Sequence, residues 1–415
     1  IFGYERSDRG GKNSSHQWNG LSFEGYLGKN IGFSFDFRDN SESGNYDAGK
    51  IFTPETGIVR SQTVEKTMEY SETRASVYTY WSWGEFSISK DFLVWGYGEG
   101  GNIVNSNKAP SFPMARLDIY PVEWLRFNYI HGWLSSDVID SSSMNSTAIG
   151  SKSFSYRDKY FVSHTFIVTP LAGLDISLGE SIIYSDKFQP VYLIPIIFFR
   201  AADHYVMNES NDAGGNAQFF LSASSRGHIK NTHLYGSLFI DDITLSGLFD
   251  SQKQKNQIGF MLGGSVTDLP VNNLTAVLEY TKIYPYVYRH YVPTLTYENA
   301  GYLMGHWMGN NADQIYASLN YRIIRGLAAS AYGRYIRKGE EPVLTERYTM
   351  PPQPVFLSGL RTNYSQLGFE AKYEFIHNLF ARAEFVYNKI SREQETGGFV
   401  DDNYNEFSFA VYYGL

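Results

Sequence analysis

Cysteine is absent from this 415-residue chain, and no apolar run reaches the length of a membrane-spanning helix. The longest clean run, residues 191–199, is interrupted by Pro195. A span through a bilayer needs about 20 apolar residues in a helix, so membrane residence by helices is excluded. Membrane residence by strands is not excluded, and the lack of cysteine fits an envelope protein that crosses an oxidising compartment before it folds.

Basic residues are fewer than acidic ones, 35 against 43, which gives a formal net charge of −8. A nucleic-acid partner needs a basic face, so this class is disfavoured. The patterns HExxH and GxSxG are missing, and the adjacent Ser163 and His164 point to opposite faces of a strand. The pairs Asp241-Asp242 and Asp401-Asp402 could bind calcium, but neither lies in a D-x-D-x-D-G loop, so they are interpreted as solvated or lumen charges. We therefore predict no catalytic residue, no metal and no cofactor.

Aromatic residues are abundant, with 33 Tyr and 29 Phe. In the last segment, apolar residues take every second position from 407 to 415, and small or polar residues lie between them. Period two puts alternate side chains on opposite faces of a strand. A final strand with one aromatic face and an apolar last residue is typical of outer-membrane β-barrels.

The same alternation recurs along the chain, while the mean hydropathy is only −0.31. A barrel wall has this property because lipid-facing and lumen-facing residues average out. Charged residues inside the predicted strands should face the lumen, since lipid does not accept them. The inward charges proposed on this basis are Glu279, Arg322, Glu370, Lys372, Arg382 and Glu384.

We therefore predict an all-β fold in which residues 1–415 form a single closed antiparallel transmembrane β-barrel. Roughly ten residues per strand gives on the order of 16–18 strands. Short turns are expected on the periplasmic side at residues 169–173, 266–273 and 324–326. Long extracellular loops are expected at residues 39–73, 135–156, 339–363 and 391–405.

Two segments rich in Gly, Pro and aromatic residues interrupt this pattern, residues 91–113 and 186–206. Gly and Pro break strand pairing, so both are expected to be loops that fold over or into the barrel and can close its lumen. Aromatic rings stack on sugar rings, while Asp, Asn, Arg and His bond to hydroxyl groups. The candidate polysaccharide-binding residues are Trp95, Tyr97, Asn105, Asn107, Tyr192, Arg200, Asp203 and His204.

A structural alternative exists for these residues. Trp95 and Tyr192 could pack the loops against the wall, and Arg200 could pair with Asp203. A further aromatic group could form a sugar track, but the favoured interpretation is that some of its members belong to an interfacial girdle. That group consists of Tyr284, Tyr286, Tyr288 and Tyr291.

The inserts also carry a family resemblance. Residues 95–113, 178–184, 192–195 and 203–205 resemble stretches of the Wzi family of capsule-assembly outer-membrane proteins, and the resemblance continues in the same order to the C-terminus. The later matching stretches are residues 240–242, 279–281, 285–288, 305–306 and 309–313. The family commonly has extra N-terminal residues on the periplasmic side, and no counterpart precedes Trp18 here.

The resemblance implies a monomeric barrel of about 18 strands that holds capsular or exopolysaccharide at the cell surface, binding like a lectin without catalysis. Its partners would be the polysaccharide and the lipid and lipopolysaccharide of the outer membrane. Two alternatives stay open: a diffusion pore lined by the inward charges, and a structural subunit of a larger secretion or glycan-uptake complex.

Overall fold

The computed structural model describes residues 1–44, 52–59, 62–64, 66–210, 214–242, 256–344 and 353–414. Within these residues, 18 antiparallel strands form the wall of one sheet that closes on itself, and a three-residue strand, Gln62–Val64, adds to the same sheet. The strands are β1 Phe2–Arg9, β2 Lys12–Leu27, β3 Ile31–Gly44, β4 Thr67–Trp81, β5 Gly84–Asp91, β6 Phe112–Val122, β7 Leu125–Ile139, β8 Tyr156–Leu171, β9 Leu174–Ser185, β10 Asn216–Arg226, β11 Thr232–Asp242, β12 Gln257–Thr267, β13 Leu274–Ile283, β14 Ala312–Ile324, β15 Leu327–Lys338, β16 Thr362–Ile376, β17 Leu379–Glu393 and β18 Phe399–Tyr413.

The barrel closes between its first and last strands. β1 pairs with β18 in antiparallel register from Phe2 opposite Tyr413 to Arg9 opposite Glu406. Each remaining strand pairs with its neighbour in the sequence, so the sheet leaves no open edge in this wall. The predicted closed barrel and its closing C-terminal strand are confirmed.

The two ends of the barrel differ in the length of their connections. At the short-turn end, successive strands are joined by two to six residues, as at 172–173 and 325–326. At the long-loop end, connections such as 92–111, 140–155 and 284–311 are much longer. Short turns of outer-membrane barrels face the periplasm, so the long-loop end faces outward. The predicted bounds of the loop 391–405 are wrong, because Glu393 of β17 pairs with Phe399 of β18 and only residues 394–398 connect the two strands.

Outward and inward side chains alternate along the strands as predicted. Leu278 of β13 is 63% exposed on the outward face, whereas its neighbour Glu279 is 2% exposed and points inward. Across β17 and β18, Arg382 opposes Ala410 on the inward face and Phe385 opposes Phe407 on the outward face. The charges of these strands therefore lie inside the barrel, where they can be solvated or paired.

Two long connections fold into the lumen and form its apolar core. The first insert, residues 92–111, and the connection 284–311 pack against inward side chains of the wall, such as Phe239 and Met261. The rings of Tyr288 and Tyr297 stack with centroids 5.7 Å apart. We call this packed region the lumen cluster. Tyr286 and Tyr288 are 1% and 0% exposed, so these two members of the aromatic group do not belong to an interfacial girdle.

The second insert takes a different place. It contains a 3₁₀ turn, Pro190–Leu193, and helix α1, Phe199–Ser210. Its buried side chains pack against residues of β7 to β10 that share a strand face with the exposed, outward-pointing Ile176 and Leu178. The expectation that residues 186–206 help to close the lumen is therefore corrected, because this segment covers the outer wall. We call residues 186–207 the outer arm.

Candidate functional site

The four candidate residues of the first insert do not share one environment. Asn107 is exposed, Asn105 is buried, and Trp95 and Tyr97 are half-buried. The ring of Tyr97 lies 5.4 Å from the guanidinium carbon of Arg226. Arg226 ends β10 at the short-turn end, so Tyr97 points away from the cell exterior. Among these four, only Asn107 is exposed.

The four candidates of the outer arm divide in the same way. Tyr192 and Asp203 are 1% and 2% exposed, whereas Arg200 and His204 are exposed. The Asp203 carboxylate accepts hydrogen bonds from the Tyr192 hydroxyl at 3.2 Å and from the Gly215 N–H at 2.6 Å. The buried pair holds the outer arm together. Because one insert is inside the barrel and the other is outside, the eight residues do not form one site.

The first insert is tied to the opposite wall by a buried carboxylate. Glu279 of β13 accepts the backbone N–H groups of Glu99 and Gly100, both at 2.7 Å. The hydroxyl of Tyr235 donates to the same carboxylate at 2.5 Å. Charge-assisted hydrogen bonds of this kind are stronger than neutral ones. Glu279 is therefore a fixed support of the lumen cluster and is not an open pore-lining charge.

A second carboxylate continues this attachment. Glu99 accepts hydrogen bonds from Tyr316 at 3.0 Å and Ser318 at 2.8 Å on β14. The indole N–H of Trp307 donates to the carbonyl of Gly100 at 2.7 Å. The insert leaves the wall between β5 and β6, so these contacts show that it crosses the lumen to β14. The insert therefore obstructs the lumen.

The connection 284–311 contributes a histidine to the obstruction. His306 is fully buried, and this burial lowers the pKa of its imidazole to about 3. The ring is therefore neutral at physiological pH, and its Nδ1 accepts the N–H of Met308 at 3.3 Å. A neutral ring fits the apolar surroundings of the lumen cluster, because an unpaired buried charge is costly.

Beside the lumen cluster, a polar cavity of about 290 Å³ opens in the lumen. Inward residues of β1, β2, β17 and β18 form one side, and the connection between β3 and β4 forms another. We call it the polar cavity. Its charged and aromatic lining consists of Glu5, Arg9, His16, Glu42, Glu55, Tyr70, Arg382, Glu384 and Glu406.

Ion pairs and hydrogen bonds orient this lining. Arg9 and Glu406 are 3.0 Å apart across the β1–β18 closure, and Arg382 and Glu5 are also 3.0 Å apart. The hydroxyl of Tyr70 donates to Glu42 at 2.9 Å. Fixed carboxylates, guanidinium groups and a phenol offer the donors and acceptors that sugar hydroxyls need.

The polar cavity carries an excess of negative charge. Its five glutamates and two arginines sum to −3 when His16 is neutral. An anionic sugar would meet net repulsion here, whereas a neutral or amino sugar would not. The polar cavity therefore disfavours ligands with dense negative charge.

Sequence reasoning identified only part of this cavity. Alternation in β17 placed Arg382 and Glu384 on the inward face, but Glu5, Arg9 and Tyr70 were missed. Glu406 was also missed. The pairing that joins Arg9 to Glu406 links residues 397 positions apart. Residues 5–9 are all polar, so no apolar–polar alternation marks their inward face, and the sequence does not say which strand lies beside them.

Over the described ranges, no helix is long and apolar enough to cross a membrane. A search of the same residues finds no group of three His, Asp or Glu side chains that could hold a metal ion.

Solved structures resemble the fold of this chain over its whole length. A solved structure of Wzi, described as an outer membrane protein involved in group 1 capsule assembly in Escherichia coli and as a carbohydrate-binding β-barrel, matches with a TM-score of 0.60. Identity is 12%, and the match covers 100% of this chain and 84% of that one.

Outer-membrane proteins of other kinds share the fold at lower scores. OccAB2 of Acinetobacter baumannii gives a TM-score of 0.53 at 12% identity, covering 99% of this chain and 95% of that chain. OprD of Pseudomonas aeruginosa gives 0.51 at 13% identity, covering 100% and 92%. At such identities these likenesses show the fold alone.

A comparison with curated protein sequences finds no significant match. The family model described as capsule assembly protein Wzi, in contrast, matches residues 7–399. This match spans nearly all of the barrel, from β1 to the start of β18. The chain therefore belongs to the Wzi family of capsule assembly proteins and is a β-barrel of the outer membrane.

Proposed function

We propose that this barrel binds a capsular or exopolysaccharide at the cell surface and holds it there without catalysis, as a monomer in contact with outer-membrane lipid and lipopolysaccharide. The observation that carries the proposal is the polar cavity, which lies next to an obstructed part of the lumen. Its volume of about 290 Å³ is on the scale of one sugar residue or a little more. The family membership gives the context of capsule assembly.

Retention would come from many weak contacts. A repeating polymer offers the same sugar many times, so linked sites retain it even when each single contact is weak. Asn107, Arg200 and His204, which are exposed, are the members of the original candidate set that we retain as additional polymer contacts. The negative excess of the polar cavity favours a neutral polymer or one that contains amino sugars.

The obstruction argues against the pore alternative. Glu279, one of the charges proposed to line a channel, is buried against the first insert by hydrogen bonds to two successive backbone N–H groups. The other inward charges of β16 and β17 are partly paired, since Arg382 lies 3.0 Å from Glu5 and 3.9 Å from Glu370. A stable open current from the purified barrel in a planar bilayer would instead support a pore.

A cavity-filling variant tests the binding site directly. Ser408 lines the polar cavity, so Ser408→Trp should fill it and weaken binding of the purified barrel to its polymer by at least about tenfold, because a sugar loses several hydrogen bonds there. Ser330→Trp is the matched control, since Ser330 lies in a different cavity at the short-turn end. Neutral, amino-sugar and uronic-acid polymers should be compared. Equal binding by both variants, or a preference for uronic acids, would contradict the proposal.

A cell-based experiment tests the role in retention. Deletion of the protein should leave polymer synthesis intact but release the polymer into the medium. Re-expression of the Ser330→Trp barrel should restore cell-bound polymer, and the Ser408→Trp barrel should not. Normal cell-bound polymer in the deletion strain would count against retention, and stoichiometric protein partners in the purified material would favour a structural subunit instead.

A further inference from the structure

The outer arm is fastened to the outside of the barrel by specific polar contacts. Glu180 of β9 points outward, and its carboxylate accepts the N–H groups of Phe199 at 2.8 Å and Arg200 at 2.7 Å. The hydroxyl of Tyr129 donates to the carbonyl of Tyr192 at 2.8 Å. These bonds satisfy backbone groups at both the 3₁₀ turn and the start of α1. The arm is therefore docked on the wall.

The height of this contact on the wall follows from the strand registers. The ring of Phe198 lies 5.9 Å from that of Phe219, an outward residue seven positions from the short-turn end of β10. Elsewhere on the barrel, bare apolar side chains extend at least as far: Ile315 lies nine positions from the short-turn end of β14 and is 50% exposed. At about 2.5 Å of height per tilted residue, seven positions correspond to roughly 18 Å, within the apolar band of about 25 Å.

The wall beneath the outer arm is unusual for this height. His164 and Glu180 both point outward, with His164 Nε2 3.7 Å from Glu180 Oε2. Such groups are costly against hydrocarbon. They are 8% and 3% exposed because the outer arm covers them, for example through the ring of Phe199 at 4.5 Å from that of His164. The outer arm thus covers His164 and Glu180 and forms the outer surface of the barrel at this position.

The far side of the outer arm is apolar. Ile194, Ile196 and Phe198 are 50%, 74% and 54% exposed, and Leu193 beside them is 50% exposed. This surface continues the exposed outward band of the neighbouring strands, to which Leu178 belongs. In water such a patch would be unfavourable, whereas next to acyl chains it adds to the lipid-facing area.

We propose that residues 193–198 of the outer arm lie in the outer leaflet of the membrane and that Ile194, Ile196 and Phe198 contact its acyl chains. The arm belongs to the connection between β9 and β10 at the long-loop end, which places it in the leaflet that faces the cell exterior. It forms a local lipid-contact surface that is not part of the β-sheet. This inference is independent of polysaccharide binding.

Site-directed spin labelling can test this placement, because the chain contains no cysteine that would need removal. A nitroxide is attached to Ile196→Cys in barrels reconstituted into dioleoylphosphatidylcholine vesicles, and collisions with oxygen and with a water-soluble nickel chelate are measured. Leu178→Cys on the strand wall is the lipid-facing control. Ile149→Cys, at a position that is 91% exposed in the connection between β7 and β8, is the water-facing control.

The expected result is that the label at 196 resembles the label at 178, with oxygen contact exceeding nickel contact several-fold. The label at 149 should show the opposite ratio. A label at 196 that behaves like the label at 149 would place the arm in water, and shielding from both reagents would mean that protein covers it. Either outcome overturns the proposal. A second label at Phe198→Cys guards against a local effect of one substitution, and circular dichroism confirms that each variant folds.

Discussion

Replacement of Glu279 by alanine should release the first insert from the far wall of the barrel. The substitution removes the acceptor for Glu99 N–H, Gly100 N–H and the Tyr235 hydroxyl, at 2.7, 2.7 and 2.5 Å. Each of these three neutral donors would lose its acceptor, and a buried donor left unsatisfied costs about 1–3 kcal/mol, so the total loss is at least about 3 kcal/mol. Since 1.4 kcal/mol is a factor of ten, local opening of the insert should rise by at least about two powers of ten.

Hydrogen–deuterium exchange of residues 92–111 measures this opening, and planar-bilayer conductance reports whether the lumen becomes permeable. Glu279→Gln keeps one acceptor oxygen and should show a smaller increase. Glu370→Gln is the control, because Glu370 also faces the lumen but lies beside Arg382 at 3.9 Å, on the polar side. If Glu279→Ala folds and leaves exchange of the insert at the wild-type rate, the reasoning about its attachment is refuted.

Three further predictions concern the lumen cluster. Tyr288→Phe removes the hydroxyl that donates to the Ile103 carbonyl at 2.5 Å, and should lower stability by about 1–2 kcal/mol in denaturant unfolding. An unchanged midpoint would contradict this role. Gly101→Ala should cost about 1–3 kcal/mol, because φ is +143° and a Cβ would come within 2.4 Å of His306 Nε2; wild-type thermal stability would argue against this packing. The lowered pKa of His306, about 3 against 6.5, means that the unfolded chain binds the proton first, so stability should fall as pH drops from 6.5 to 3, by up to about 1.4 kcal/mol per pH unit. Thermal unfolding between pH 7.5 and 4.5 tests this, and His306→Asn should reduce the slope; an identical slope would exclude His306 as its source.

The wall of the barrel could be predicted from the sequence because its signal is local. In β18, Phe407 and Phe409 alternate with polar or small residues, and the structure places these rings on the outward face. Period two fixes relative faces without any knowledge of neighbours. The boundaries of loops could be predicted less well, since β17 and β18 occupy most of the predicted loop 391–405 and leave only residues 394–398 as the turn, although most residues of this segment are polar. Polar residues are tolerated in strands that project beyond the membrane.

The candidate site could be predicted only in part, for the opposite reason. Asn105 and Tyr192 have the chemistry of sugar ligands, but the structure buries both, at 4% and 1% exposure. Composition does not distinguish a side chain that faces solvent from one that packs a loop. The polar cavity in turn depends on closure between β1 and β18, and a pairing across nearly the whole chain leaves no local trace in the sequence.

The two inserts show which features the sequence predicts and which depend on tertiary contacts. In each case a strand glutamate accepts two successive backbone N–H groups: Glu279 holds Glu99 and Gly100, and Glu180 holds Phe199 and Arg200. Glu279 is one position after the outward Leu278 and so faces the lumen.

Glu180, in contrast, is two positions after the outward Leu178 and so faces out of the barrel. The sequence by itself determined the strands, their two faces and the existence of the inserts, because these depend on neighbouring residues. Only the tertiary structure decided that one insert fills the lumen and the other covers the wall, because each destination depends on contacts between segments that are distant in the chain.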